Sequence, residues 1–92
     1  MKSEEDINGM TPNQLVAWFL ISSYAYYVMS EPVMGDSTFD GLVKRLKEYW
    51  DEVDHPHKYL ITESHLAAGT GYDIDHPTIV KFATATYIRE HR

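Results

Sequence analysis

The sequence predicts an all-α fold, and three observations carry that reading. A fully specified helix start stands at residues 11–14. A 3–4 apolar repeat runs from Phe39 to Val53. The single stretch that also fits a strand, Thr78 to Ile88, has no convincing second strand to pair with. Together they predict an antiparallel helix hairpin, about 12–30 and 36–53, followed by one or two further C-terminal helices.

Taken in order, residues 1–10 are mostly polar and are expected to form a flexible N-terminus. Thr11-Pro12-Asn13-Gln14 then places an N-cap, a proline at the first helical position and a glutamine three residues after the cap. Met10 and Leu15 fall at the two positions of a hydrophobic staple. Leu15, Trp18, Phe19, Ser22, Tyr26 and Met29 follow at helical spacing, with Ser22 a small member of the stripe. Pro32 drives Glu31 out of helical geometry, so the helix is expected to stop near Met29 or Ser30.

Val33-Met34-Gly35 reads as a short turn, and Asp36 as the N-cap of a second helix. Its apolar stripe is Phe39, Leu42, Val43, Leu46, Tyr49/Trp50 and Val53, ended by Asp54-His55-Pro56. The short connection makes the two helices antiparallel neighbours. Further on, Thr62 is placed to cap a short helix with Gly69 just past its end, and Gly69-Thr70-Gly71 reads as a loop. Asp75 or His76 is placed to cap a last helix from Pro77. The alternation of Val80, Phe82 and Thr84 also fits a strand, but helix is favoured because a strand would lack a partner.

At 92 residues the chain has room for one domain, in which 11–57 forms the hairpin unit and 58–92 a helical extension of the same body. Seven Tyr, three Phe and two Trp supply more buried area than so short a chain usually commands, and some of these rings are available to a ligand or partner. With no cysteine there is neither a disulfide nor a thiolate metal site. Met1 to Asp6 lacks the basic region and apolar run of a secretory signal, and Leu15–Ile21 is too short to span a bilayer, so a cytoplasmic protein with no membrane partner is expected.

A net charge of −6 argues against direct nucleic-acid binding, because phosphate neutralisation supplies most of that affinity. Lys44, Arg45 and Lys47 form a small basic cluster, followed at once by Glu48, Asp51 and Glu52.

The most informative stretch runs from Tyr24 to Asp40. It places Tyr26-Tyr27 near the end of one helix, a Ser30-Glu31-Pro32 turn, and Asp36-Ser37-Thr38-Phe39-Asp40 opening the next. Aromatic faces attract a flat cation by about 0.5–2 kcal/mol, and nearby carboxylates add Coulomb attraction and accept hydrogen bonds. Each residue also has a structural use. Asp36 and Asp40 suit the start of a helix, and Phe39 and Tyr26 lie on the apolar stripes.

Over roughly residues 11–57 this pattern resembles domain Ia, the nicotinamide-binding N-terminal module of NAD-dependent DNA ligases. The resemblance implies a nicotinamide mononucleotide or NAD site at Tyr26, Tyr27, Asp36, Phe39 and Asp40, with rings holding the nicotinamide and acids meeting its amide and ribose groups. Phe39 stands where that family usually has Tyr, which keeps a ring face and loses a hydroxyl. Tyr27 stands where it has His or Tyr. A small stand-alone protein of this kind fits a bacteriophage genome.

The adenylation chemistry of such a ligase needs a Lys-x-Asp-Gly motif, and none of Lys2, Lys44, Lys47, Lys58 or Lys81 has Asp-Gly in register. Nor is there a Gly-rich phosphate loop. Ligase activity by this chain alone is therefore not expected. Two functions remain. One is a nucleotide-binding module, acting as a detached ligase subunit that completes an adenylation-domain partner or as an accessory protein. The other is an interaction module, a regulator or inhibitor docking on a ligase or other host DNA-metabolism protein, with a vestigial nucleotide site. His55-Pro56-His57 with Asp54, and Asp73-Ile74-Asp75-His76, offer too few ligands in too local a turn for a metal site, so no metal is expected.

Overall fold

The computed structural model describes residues 2–68 and 74–91. These residues form five helices: α1 (Glu4–Asn8), α2 (Pro12–Tyr27), α3 (Asp36–Glu48), α4 (Glu63–Ala68) and α5 (Thr78–Glu90). Short 3₁₀ turns stand at Trp50–Glu52 and Lys58–Leu60. Among the described residues there is no strand, only one isolated bridge pairing Lys2 with Met34, so the fold is all-α as the sequence predicts.

The first difference from the sequence reading is α1, in a segment expected to be flexible. Ser3 Oγ accepts a hydrogen bond from the Asp6 amide at 3.2 Å, and the Asp6 carboxylate accepts one from the Ser3 amide at 2.9 Å. One turn this short does not hold itself together in water. It is anchored by Ile7, which is fully buried, and by the Lys2 amide donating to the Val33 carbonyl at 2.9 Å. A single apolar residue has no period, which is why the sequence does not announce this helix.

α2 begins as expected. Thr11 Oγ1 accepts from the Gln14 amide at 3.2 Å, and Gln14 Oε1 accepts from the Thr11 amide at 2.9 Å. Its buried residues, Leu15, Val16, Phe19, Leu20, Ser22, Ser23 and Ala25, are not confined to one narrow stripe. α3 and α5 both pack on it, and a helix covered from two sides is apolar around most of its circumference.

The helix ends at Tyr27, a little before the expected Met29 or Ser30. The amides of Val28 and Met29 both donate to the Tyr24 carbonyl, and that of Glu31 to the Ala25 carbonyl. Ser30 makes this closure with a φ of 55°, in the left-handed region.

α3 corrects the expectation for Asp36. Gly35 is the N-cap and gives no side-chain bond, while Asp36 is the first helical residue, where its charge suits the positive end of the helix dipole. Leu42, Val43 and Leu46 are buried on the expected stripe. The helix proper stops at Glu48, and the 3₁₀ turn carries the chain on to buried Val53. Lys58 Nζ donates to the Trp50 carbonyl at 2.9 Å and lies 4.8 Å from the Trp50 ring centre.

At one end of the hairpin, Asn13 near the start of α2 bonds Asp54 beyond α3. At the other, Tyr26 and Tyr27 share a pocket with Asp36 and Asp40. The two helices therefore run antiparallel, as expected.

Thr62 caps α4 as predicted, its Oγ1 accepting from the His65 amide at 3.3 Å while His65 Nδ1 accepts from the Thr62 amide at 3.0 Å. The Gly69-Thr70-Gly71 loop and Asp73 lie outside the described residues. The ambiguous stretch from Thr78 is helix α5. Its N-cap is Pro77, so neither Asp75 nor His76 has the capping role expected of them. Val80, Thr84 and Ile88, four apart, are buried, while Phe82, which a strand would place beside Val80 and Thr84, is 70% exposed. Tyr87 meets Trp18 of α2 edge to face at 5.1 Å between ring centres.

Candidate functional site

Where α2 ends and α3 begins, the hairpin encloses a pocket of about 330 Å³, at the lower end of the range for small-molecule sites. Ser22, Ser23, Tyr26 and Tyr27 come from α2, Pro32, Val33 and Met34 from the connection, and Asp36, Phe39 and Asp40 from α3. All five residues singled out from the sequence line this one pocket. Helical geometry explains the convergence. Ser22 and Tyr26 lie one turn apart on α2, Asp36 and Asp40 one turn apart on α3, and the antiparallel pairing brings the two faces together.

The rings differ in setting. Tyr26 is 54% exposed and Tyr27 43%, and they meet edge to face at 4.9 Å and 83°. The apolar-stripe role predicted for Tyr26 is thus not its main one, because most of the phenol faces solvent at the pocket mouth. Phe39 is half-buried and stacks on core residue Phe19 at 5.6 Å and 28°, which fixes the plane of its ring. Asp36 and Asp40 are both exposed. Like charges at this spacing repel by a few tenths of a kcal/mol, a repulsion that a bound cation would relieve. No lining residue is Lys, Arg or His, so the pocket suits a flat cation and offers a phosphate no cationic side chain.

Sequence reasoning did not assign Ser22, Ser23, Pro32, Val33 and Met34 to the site. Val33 and Met34 are buried and are held by the Lys2 backbone, a link that no local sequence signal announces. Ser22 is only 4% exposed, and its Oγ has no hydrogen-bond partner among the described residues.

Elsewhere, no group of three or more His, Cys, Asp or Glu that could hold a metal ion occurs among the described residues. The His57 amide donates to His55 Nδ1 at 3.0 Å, and burial, with His57 beside it, lowers the His55 pKa. No helix among the described residues is long and apolar enough to cross a membrane. In comparisons with known proteins, no family model, curated protein or solved structure matches the chain.

Proposed function

We propose that the pocket binds the nicotinamide ring of nicotinamide mononucleotide or NAD, and that the protein is a nucleotide-binding module without ligase activity of its own. One observation supports this reading: the five positions that the resemblance to ligase domain Ia picks out, Tyr26, Tyr27, Asp36, Phe39 and Asp40, line a single pocket. Tyr26 and Phe39 supply ring faces from opposite helices. Asp36 and Asp40 supply negative charge and acceptors for amide or ribose donors, and Tyr27 stands beside Tyr26 at the mouth. Such a module contributes to catalysis only by orienting a leaving group for a partner that carries the adenylation lysine.

Calorimetric titration with nicotinamide mononucleotide tests the proposal. Binding that is lost in Tyr26→Ala and in Asp40→Ala is the expected result. No heat with the unaltered protein at millimolar ligand overturns it.

A second reading, an interaction module docking on a ligase or other DNA-metabolism protein, draws on residues beyond the hairpin. Ile79 and Phe82, three apart on α5, and Tyr59 are all strongly exposed apolar side chains in the segment the ligase resemblance does not cover. A complex with an adenylation domain that Phe82→Ser weakens, formed by a protein that binds no nucleotide, would favour it.

A further inference from the structure

Buried hydroxyls on helices usually satisfy themselves by donating to the carbonyl one turn back. Ser23 does so to Phe19 at 2.8 Å, and Thr84 to Val80 at 2.7 Å. Ser22 does not. It sits beside Ser23 and is nearly as buried, yet its Oγ makes no hydrogen bond among the described residues. Both serines line the pocket, Ser22 one turn below Tyr26. A buried hydroxyl left unpaired is destabilising, and an alanine at this position would avoid that and favour the helix.

Building on the nicotinamide reading above, we infer that Ser22 is the residue that recognises the ring's carboxamide. The hydroxyl offers one donor and two acceptor lone pairs, and a carboxamide offers both a carbonyl acceptor and N–H donors, so the pair matches in either sense. The Oγ has almost no accessible surface in the structure. Rotation about the Cα–Cβ bond moves it among three staggered wells, and a carboxamide seated against Ser22 selects the one facing the pocket. Tyr26, Phe39 and the two aspartates favour any flat cation, whereas Ser22 favours one that carries an amide. Its role is specificity rather than bulk affinity.

The test crosses one side chain with one ligand group. Nicotinamide mononucleotide and the corresponding N-ribosylpyridinium 5′-phosphate, which lacks the carboxamide, are titrated into the unaltered protein and into Ser22→Ala. The inference expects Ser22→Ala to weaken nicotinamide mononucleotide roughly three- to tenfold and to leave the pyridinium analogue unchanged. It also expects the ligand-free variant to unfold at a higher temperature than the parent, since an unpaired buried hydroxyl has been removed. Nicotinamide mononucleotide binding equally well to both proteins, both ligands weakening together, or a ligand-free variant that is less stable would each overturn the role of Ser22 while leaving the nicotinamide site standing. Failure of the unaltered protein to bind nicotinamide mononucleotide would overturn the nicotinamide reading itself, and the inference with it.

Discussion

Asn13 and Asp54, 41 positions apart, hold each other by a reciprocal pair of hydrogen bonds. Asn13 Nδ2 donates to the Asp54 carbonyl at 3.1 Å, and the Asp54 amide donates to Asn13 Oδ1 at 2.8 Å. One side-chain amide thus joins the start of α2 to the chain leaving α3, opposite the end of the hairpin that carries the pocket. Both residues are exposed, so water replaces what a truncation removes. Asn13→Ala is expected to cost about 1 kcal/mol and to lower the thermal midpoint by about 4–8 °C, without changing nucleotide affinity. Differential scanning calorimetry and titration of the same sample check both halves.

Ser30 closes α2 with a positive φ, a conformation that costs an L-residue roughly 1–2 kcal/mol and glycine almost nothing. Glycine also gives the unfolded chain more freedom, which takes back about 0.4–1 kcal/mol. Ser30→Gly is therefore expected to be stabilising by a few tenths of a kcal/mol up to about 1. Ser30→Val, β-branched at the same φ, is expected to be destabilising. Urea unfolding of the pair decides it. A valine variant as stable as the glycine one would show that the left-handed turn is not retained.

His76 is buried, packs edge to face on Tyr24 at 5.3 Å between ring centres, and leaves Nε2 without a partner among the described residues. Burial lowers its pKa below the usual 6.5, Lys81 adds to that lowering, and Asp75 opposes it. The unfolded chain then takes up a proton at pH values where the folded protein resists it. Stability should be complete above pH 6.5 and fall as the pH drops from there toward the lower folded value. His55, lowered by burial and by His57, acts in the same direction. Asp6, held below its usual 3.8 by hydrogen bonds from Ser3, loses its contribution only in more acidic solution. Urea midpoints from pH 7.5 to 5 should decline in the parent and decline less in His76→Gln. Parallel curves would remove His76 from the account.

Tyr26 and Phe39 should separate binding from stability. Tyr26 projects to solvent, so Tyr26→Ala is expected to change stability by less than about 0.5 kcal/mol while abolishing nucleotide binding. Phe39 stacks on Phe19, so Phe39→Ala is expected to destabilise by about 3 kcal/mol. Phe39→Tyr adds a hydroxyl at the pocket and is expected to tighten nicotinamide mononucleotide binding several-fold. Unfolding midpoints and calorimetric affinities for the three variants check these expectations together.

How much of this was legible in the sequence varied by element, and the reasons are physical. The Thr11 cap with its Gln14 partner and the Leu42-Val43-Leu46 stripe are local chemistry written in consecutive residues, and both were readable. The five positions implied by the ligase resemblance meet in one pocket because helical spacing and a short connection bring them together. α1 was not, since Ile7 is buried by partners far along the chain. The cap of α3 fell to Gly35 rather than Asp36, a difference of one residue that propensity does not resolve. The packing of α5 on α2, with Tyr87 against Trp18, was also unreadable, as nothing in either helix names the other. The unpaired state of Ser22 belongs to the same class, because a missing hydrogen bond is visible only once every neighbour is in place.

The bridge between Lys2 and Met34 has a practical consequence. The Lys2 amide is bonded to the carbonyl of Val33, which with Met34 forms part of the pocket wall, so a backbone bond made by the first described residue reports on that wall. Deuterium uptake at that single amide should slow when the cavity fills.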